Sequence, residues 1–385
     1  MRRALARSVT SLSTPPIPEV QGWGDAYDGS HGPLANFSQA VPGYAPHPDL
    51  HDWAAECARS CVASGYGLIE GEPELVAALS AFTGSLYGSP VADSEIQITA
   101  GCNQAYFVAL MTITNPGDEV VLTNPNFFNH EATLTLLGLR PAYVDCLPEN
   151  GFLPRAEDVA AQITDRTAAV ALVTPNNPTG AVYPPALLQD IYDICAEKGV
   201  WLILDETYRD FLAPDAGAPH RLFEAPSWRD HFIQLYSFSK GYCIPGHRVG
   251  AMVAASDIVT ETVKVMDNLQ ICAPRPAQQA VAKALPALSE WRAANSLEMQ
   301  SRGAAFQEAL GPVAGWNIRA VGAFFAYVEH PFGGRSSRDV ARELAEGRGI
   351  VALPGTYFGT GQEPYLRFAF ANSDAETIGL LAARL

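Results

Sequence analysis

Basic residues are scarce in this chain. Twenty-five Lys and Arg stand against 41 Asp and Glu, a formal net charge of −16 over 385 residues. Nucleic-acid binding needs a basic face that displaces counterions from phosphates. The expected ligand is therefore small, and any anion must be held by a few placed cations and N–H groups against an unfavourable overall field. Cysteine is sparse too: Cys57, Cys61, Cys102, Cys146, Cys195, Cys243 and Cys272 are odd in number and show no CxxC pair or zinc spacing. They read as free thiols, mostly small buried hydrophobes, in a reducing compartment. No HExxH motif occurs, so a metal site has no support. Long apolar runs are missing. The basic start MRRALARSVTSLSTPPIPE never strings together enough of them for a signal-peptide core or a membrane span, and a cytoplasmic protein is expected. Repeats and low-complexity segments are absent.

What is present suits a globular enzyme: 48% hydrophobic and 17% charged residues, with Gly and Pro spread along the chain. The length exceeds what one core usually supports, so two domains sharing a cleft are expected. From about Ser94 onward, short β-branched and apolar runs alternate with helical stretches, the signature of a mostly parallel sheet covered by helices on both faces. Strands are expected at 95–99, 119–123, 142–145, 168–173, 200–205, 232–236 and 249–254. Residues 275–309 read as one long helix. Two strand-like runs, 323–329 and 365–371, then frame further helix in a smaller α+β layer. The Pro-rich piece 14–18 reads as an extended arm. The expected division is an N-terminal arm and small-domain segment at 1–45, a large domain at 46–289 and a small C-terminal domain at 290–385.

Open α/β sheets bind ligands at the carboxyl ends of their strands. The run 200–204 ends in Asp205, with Tyr208 three residues on. A carboxylate buried there needs a cationic partner or several donors, although capping the next helix would also explain it. The run 232–236 ends in Ser237-Phe238-Ser239-Lys240, where desolvation lowers a lysine pKa toward a nucleophilic amine. Eight residues later comes Arg248, whose guanidinium fork suits a phosphate; Ser237 offers a further hydroxyl. The turn Gly101-Cys102-Asn103 opens a helix, so its free N–H groups supply a second anion grip. Asn177 lies in the stiff turn Thr174-Pro175-Asn176-Asn177-Pro178-Thr179-Gly180. Alternation in 365–371 puts Arg367 with small Ala369 and Ala371 on one face, opposite Leu366, Phe368 and Phe370.

In order and approximate spacing, the NNPTG turn, the D-x-x-Y, the S-x-S-K and the Arg eight residues past the Lys resemble the class I and II aminotransferases of the fold-type I pyridoxal-phosphate enzymes. The resemblance runs from about Asn36 to Phe370. It implies pyridoxal 5′-phosphate bound as a Schiff base on Lys240, which then shuttles the substrate's α-proton. It implies that Asp205 pairs with the ring nitrogen, that Tyr208 and Asn177 bond the ring oxygen, and that Phe127 lies on the ring face. The phosphate falls to Ser237, Arg248 and the turn Gly101, Cys102 and Asn103, with Tyr66 reaching the partner's phosphate in a homodimer with shared sites. Arg367 clamps the substrate carboxylate. The family's N-terminal glycine-containing turn is matched only loosely by residues 36–44. Members specific for dicarboxylates carry a second Arg just ahead of the Pro matching Pro274. Residues 266–272 contain none, which points to a neutral or aromatic amino donor and a 2-oxo acid acceptor. A β- or γ-lyase would use the same groups. A DNA-binding regulator on this fold is disfavoured by the acidic charge and the short stretch before Asn36. His130, Glu70 and Trp23 are candidates for the pocket wall, each serving equally well as a structural residue.

Overall fold

The structure, a computed structural model, describes residues 3–385, so the first two residues of the basic start lie outside it. In chain order the strands are β1 (Ala35–Asn36), β2 (Ile96–Thr99), β3 (Glu119–Asn124), β4 (Arg140–Asp145), β5 (Thr167–Val173), β6 (Trp201–Asp205), β7 (Phe232–Ser237), β8 (Gly250–Val253), β9 (Asn317–Gly322), β10 (Phe325–Glu329), β11 (Ile350–Val351), β12 (Leu353–Pro354) and β13 (Tyr365–Ala369). Strands β2 to β8 form one seven-stranded sheet in the order β2-β8-β7-β6-β5-β3-β4. All seven correspond to the runs expected from the sequence.

Their near-continuous apolar sequences follow from burial on both faces. Along β5, Val170 and Leu172 join one core cluster while Ala169 and Ala171 join another; Leu202 and Leu204 on β6 part in the same way from Ile203. The strand period of two thus sorts each run between two helical layers. Helices Pro73–Tyr87, Pro185–Lys198 and Arg275–Ala287 supply Leu79, Ile191 and Val281 to the first layer. Helices Cys102–Ile113 and Phe128–Leu137 supply Ala109 and Leu134 to the second.

The sheet is parallel except at β8, which runs antiparallel to both β2 and β7. This reversal matters for the site. A residue just before a parallel strand lies at the edge opposite the strand ends, whereas Gly250 at the start of β8 pairs with Ser237 and Thr99 at the ends of β7 and β2. Arg248 is thereby delivered to the edge where β7 hands over to Lys240.

The second sheet is antiparallel, in the order β12-β13-β10-β9, and β1 pairs with β11 nearby. Three expectations are corrected here. The stretch 275–309 is two helices, Arg275–Ala287 and Ser289–Leu310, parted at Leu288. Pro286 in the last turn of the first helix has no N–H to continue the ladder, which accounts for the break. The stretch 14–18 is not an extended arm, because a helix, Pro16–Asp25, begins inside it. Pro16 occupies its first position, where the missing N–H costs nothing. Finally, β9 was not expected; its half-exposed residues give a weaker apolar signal.

The N-terminal helix buries Val20 and Trp23 in the core of the second sheet. Glu19 holds it with an ion pair to Arg338 and by accepting a hydrogen bond from Tyr357 Oη at 2.8 Å. Trp23→Ala is predicted to lower stability by about 3 kcal/mol, as for other large-to-small core changes, measured by urea unfolding. An unchanged midpoint would mean that the segment is not packed.

Candidate functional site

A cleft of about 270 Å³ lies at the carboxyl edge of the seven-stranded sheet. It is lined by Cys102, Asn103, Phe127, Asn177, Asp205, Tyr208, Ser237, Lys240, Arg248 and Arg367, together with Thr207, Ser239 and residues 39–41. Of the residues given a catalytic or binding role in the sequence, the structure gathers all into this cleft or its immediate wall except Tyr66. That side chain is 79% exposed and does not line the cleft of its own chain.

Asp205 ends β6 with 5% exposure. One oxygen accepts from the Thr207 backbone N–H at 2.9 Å, and the other lies 3.4 Å from His130 Nε2. Burial opposes ionisation, but the hydrogen bonds from His130 and Thr207 outweigh it and hold the carboxyl below its ordinary range. His130 is itself stacked on Tyr106, with ring centroids 3.9 Å apart. The alternative that Asp205 merely caps a helix gains only its turn-forming bond to Thr207. Sequence reasoning missed Thr207, although Asp followed two residues on by a donor N–H is an Asx-turn signal.

Lys240 sits in the short helix Phe238–Gly241, whose N-cap Ser237 accepts from Ser239 N–H at 3.3 Å. Its Nζ donates to the Ala40 carbonyl at 2.5 Å. Burial, followed by the neighbouring Arg367 and Arg248 guanidinium groups, lowers its pKa to about 8. Roughly a tenth of the amine is then neutral at pH 7, against fewer than about one in a thousand for an ordinary lysine.

Arg367, at the middle of β13, is 2% exposed. Its guanidinium donates to Asn177 Oδ1 at 3.0 Å and to the Ser38 carbonyl, while Nε has no partner. The group lies over the Phe325 and Phe358 rings at 4.9 and 5.2 Å. Among the described residues no carboxylate pairs with it, and burial lowers its pKa to about 10. A buried charge in this state is costly unless a counter-anion arrives. Arg248, exposed, bonds only the carbonyls of Pro245 and Ala100, at 2.9 and 3.0 Å. It closes on the turn at Gly101, where φ is +86° and a Cβ would overlap the guanidinium.

Tyr208 is buried, its hydroxyl hydrogen-bonded to Asn177, and burial raises its pKa. Phe127 packs edge-on to His130 at 5.4 Å. Of the other wall candidates, Trp23 belongs to the core of the second sheet and Glu70 is exposed, its carbonyl accepting from Ile98 N–H at 2.7 Å. No group of His, Cys, Asp and Glu among the described residues is arranged to hold a metal ion, and no helix among them is long and apolar enough to cross a membrane.

The low pKa of Lys240 carries a prediction. Its acylation by an amine-specific reagent, followed by peptide mass spectrometry, should reach half its maximal rate near pH 8. In Arg367→Ala, with one facing cation removed, that midpoint should move upward; a midpoint near 10 in the unaltered protein would contradict the assignment.

Comparison with known proteins matches residues 36–385 to the model of the family "Aminotransferase class I and II". The chain is 30% identical to an aromatic aminotransferase of Arabidopsis thaliana, over 91% of this chain and 88% of that protein. It is 27% identical to an aspartate aminotransferase of Sulfolobus acidocaldarius, over 88% and 86%. A double mutant of Thermus thermophilus aspartate aminotransferase has the same fold, with a TM-score of 0.90 at 24% identity, covering 100% of this chain and 99% of that one. With its cleft at the carboxyl edge of the sheet and a family match over nearly its whole length, the chain belongs to the class I and II aminotransferases.

Proposed function

We propose that the protein transfers an amino group between an L-amino acid and a 2-oxo acid in two half-reactions, using pyridoxal 5′-phosphate. The observation that carries this reading is the pairing of a lysine amine of depressed pKa with a buried, unpaired guanidinium in one cleft. The first suits covalent attachment to a carbonyl carbon and proton transfer. The second suits an α-carboxylate.

The residues present fit the cofactor. Lys240 would hold it covalently through Nζ, and Asp205, kept ionised by His130 and Thr207, would hold a protonated ring nitrogen. Tyr208 and Asn177 would donate to the ring oxygen, and Phe127 would lie against the ring. Ser237, Arg248 and the N–H groups of Gly101, Cys102 and Asn103 would take the phosphate; the helix Cys102–Ile113 adds the positive end of its dipole. When bound, the group supplies an electron sink for the pair left on the substrate's α-carbon. Lys240 Nζ would accept the donor's α-proton and later give it back. Arg367 fixes the donor's carboxylate, so that the α-hydrogen faces Lys240. Asp205, its pKa held down by His130 and Thr207, would stay ionised beside the ring nitrogen and so favour the sink.

A β- or γ-lyase would share these residues, but the named relatives are aminotransferases, and amino-group transfer is the reading they support. The absence of Arg from residues 266–272 supports a neutral or aromatic donor. The exposed Tyr66 supports a homodimer in which it reaches the partner's phosphate, and light scattering is expected to give twice the 41.2 kDa chain mass.

The deciding experiment follows product with purified enzyme, cofactor, an L-amino acid and a 2-oxo acid. Formation of a new amino acid with no free ammonia is expected; stoichiometric ammonia release would replace this reading with the lyase. Lys240→Ala should abolish turnover, whereas Asp205→Ala should retain cofactor, seen by absorbance, while nearly losing activity. Arg367→Ala should lower kcat/KM by roughly a hundredfold, the effect of losing a buried charge partner of about 3 kcal/mol.

A further inference from the structure

The cleft contains more than the groups assigned so far. Ile17, Val41 and Phe128 also line it, together with Gln39 and Asn129. Ile17 comes from the helix Pro16–Asp25. It lies three residues before the buried Val20 and so on the same helical face. That helix is fixed by Trp23 in the core and by Glu19 against Arg338 and Tyr357, so the position of Ile17 is set by packing.

Phe128 begins the helix that follows β3. Its ring lies 5.7 Å from Phe358, and Phe358 lies beneath the Arg367 guanidinium at 5.2 Å. An apolar wall therefore runs from Arg367 through Phe358 and Phe128, and Ile17 and Phe128 pack against one and the same core. The basic side chains lining the cleft are Lys240, Arg248 and Arg367, each already committed to a reacting or anchoring role. A second carboxylate on the substrate would meet this wall without a cation, and an ionised group buried unpaired is strongly disfavoured.

We propose that Ile17, Val41 and Phe128 form the subsite for the donor's side chain, and that its occupant is a large apolar or aromatic group. The proposal rests on the aminotransferase reading and adds to it the residues that set specificity. Arg367 holds the α-carboxylate at one end of the wall. The side chain extends along Phe128 toward Ile17, and the N-terminal helix acts as a specificity element within the same subunit.

The test compares kcat/KM for L-phenylalanine and L-alanine in the holoenzyme and its variants. In Ile17→Ala and Phe128→Ala the phenylalanine-to-alanine ratio should fall about tenfold or more, the effect of losing apolar contact in a pocket. Ile17→Leu, which keeps the volume, and Phe128→Leu, which keeps most of it, should hold it within about threefold. Ile17→Arg should raise kcat/KM for L-aspartate. Calorimetry supplies a readout free of turnover: the wild-type holoenzyme should bind 3-phenylpropanoate at least about tenfold more tightly than succinate, a preference that Ile17→Ala should erase. A ratio unchanged in both alanine variants, or a wild-type preference for succinate, overturns the proposal. Loss of the 3-phenylpropanoate preference in Ile17→Ala, in an enzyme that transfers no amino group from any donor, would sustain the subsite while refuting the aminotransferase reading.

Discussion

Three cations and one carboxylate meet in a single cleft, and the remainder of the architecture serves to hold that unbalanced charge in place. Lys240, Arg248 and Arg367 line a site whose only lining carboxylate among the described residues is Asp205, on a protein with a net charge of −16. After burial, the Arg367 and Arg248 guanidinium groups make Lys240 harder to protonate. Under the proposed function the repulsion would be relieved by anions, a phosphate at Arg248 and a carboxylate at Arg367. Binding and activation are thus linked, since the cations that help burial lower the lysine pKa also attract anionic groups.

Such a concentration of charge persists only on a stiff support. Asp205 and Lys240 follow adjacent strands of a sheet buried on both faces, with Asp205 in register with Val173 and Leu235. A shift of one residue would turn each strand's inward set to the other helical layer. Arg367 is fixed from the second sheet, where β13 lies between β12 and β10 and pairs Arg367 with Leu353 and Tyr327. The cleft is therefore assembled from two sheets and closed by residues 38–41, whose Ser38 and Ala40 carbonyls take hydrogen bonds from the two cations.

Much of this was readable from the sequence because burial on two faces leaves a strong pattern. The seven apolar runs are the seven strands, and residues just past several of them line the cleft. Arg248 was singled out in the sequence and does line the cleft, yet what places it beside Lys240, the antiparallel course of β8, has no signature in a four-residue apolar strand. Pro286 did mark a helix end, but the Ala-rich sequence around it continues the helical pattern on both sides. The N-terminal helix was hidden because prolines 15, 16 and 18 and two glycines argue against helix by propensity, whereas the burial of Val20 and Trp23 decides the matter. The loose match of residues 36–44 concealed their place over the cleft, since they contribute backbone carbonyls, which any residue type supplies.

The central claim is that the carbonyl cofactor attaches at Lys240 because burial and two neighbouring guanidinium groups give that amine a far larger neutral fraction than an ordinary lysine has. Borohydride reduction of the purified protein with pyridoxal 5′-phosphate, followed by proteolysis and mass spectrometry, tests it most directly. The account predicts a phosphopyridoxyl group on the peptide carrying Lys240 and on no other lysine at equimolar cofactor. Label spread over exposed lysines, or a labelled peptide that excludes Lys240, would contradict it.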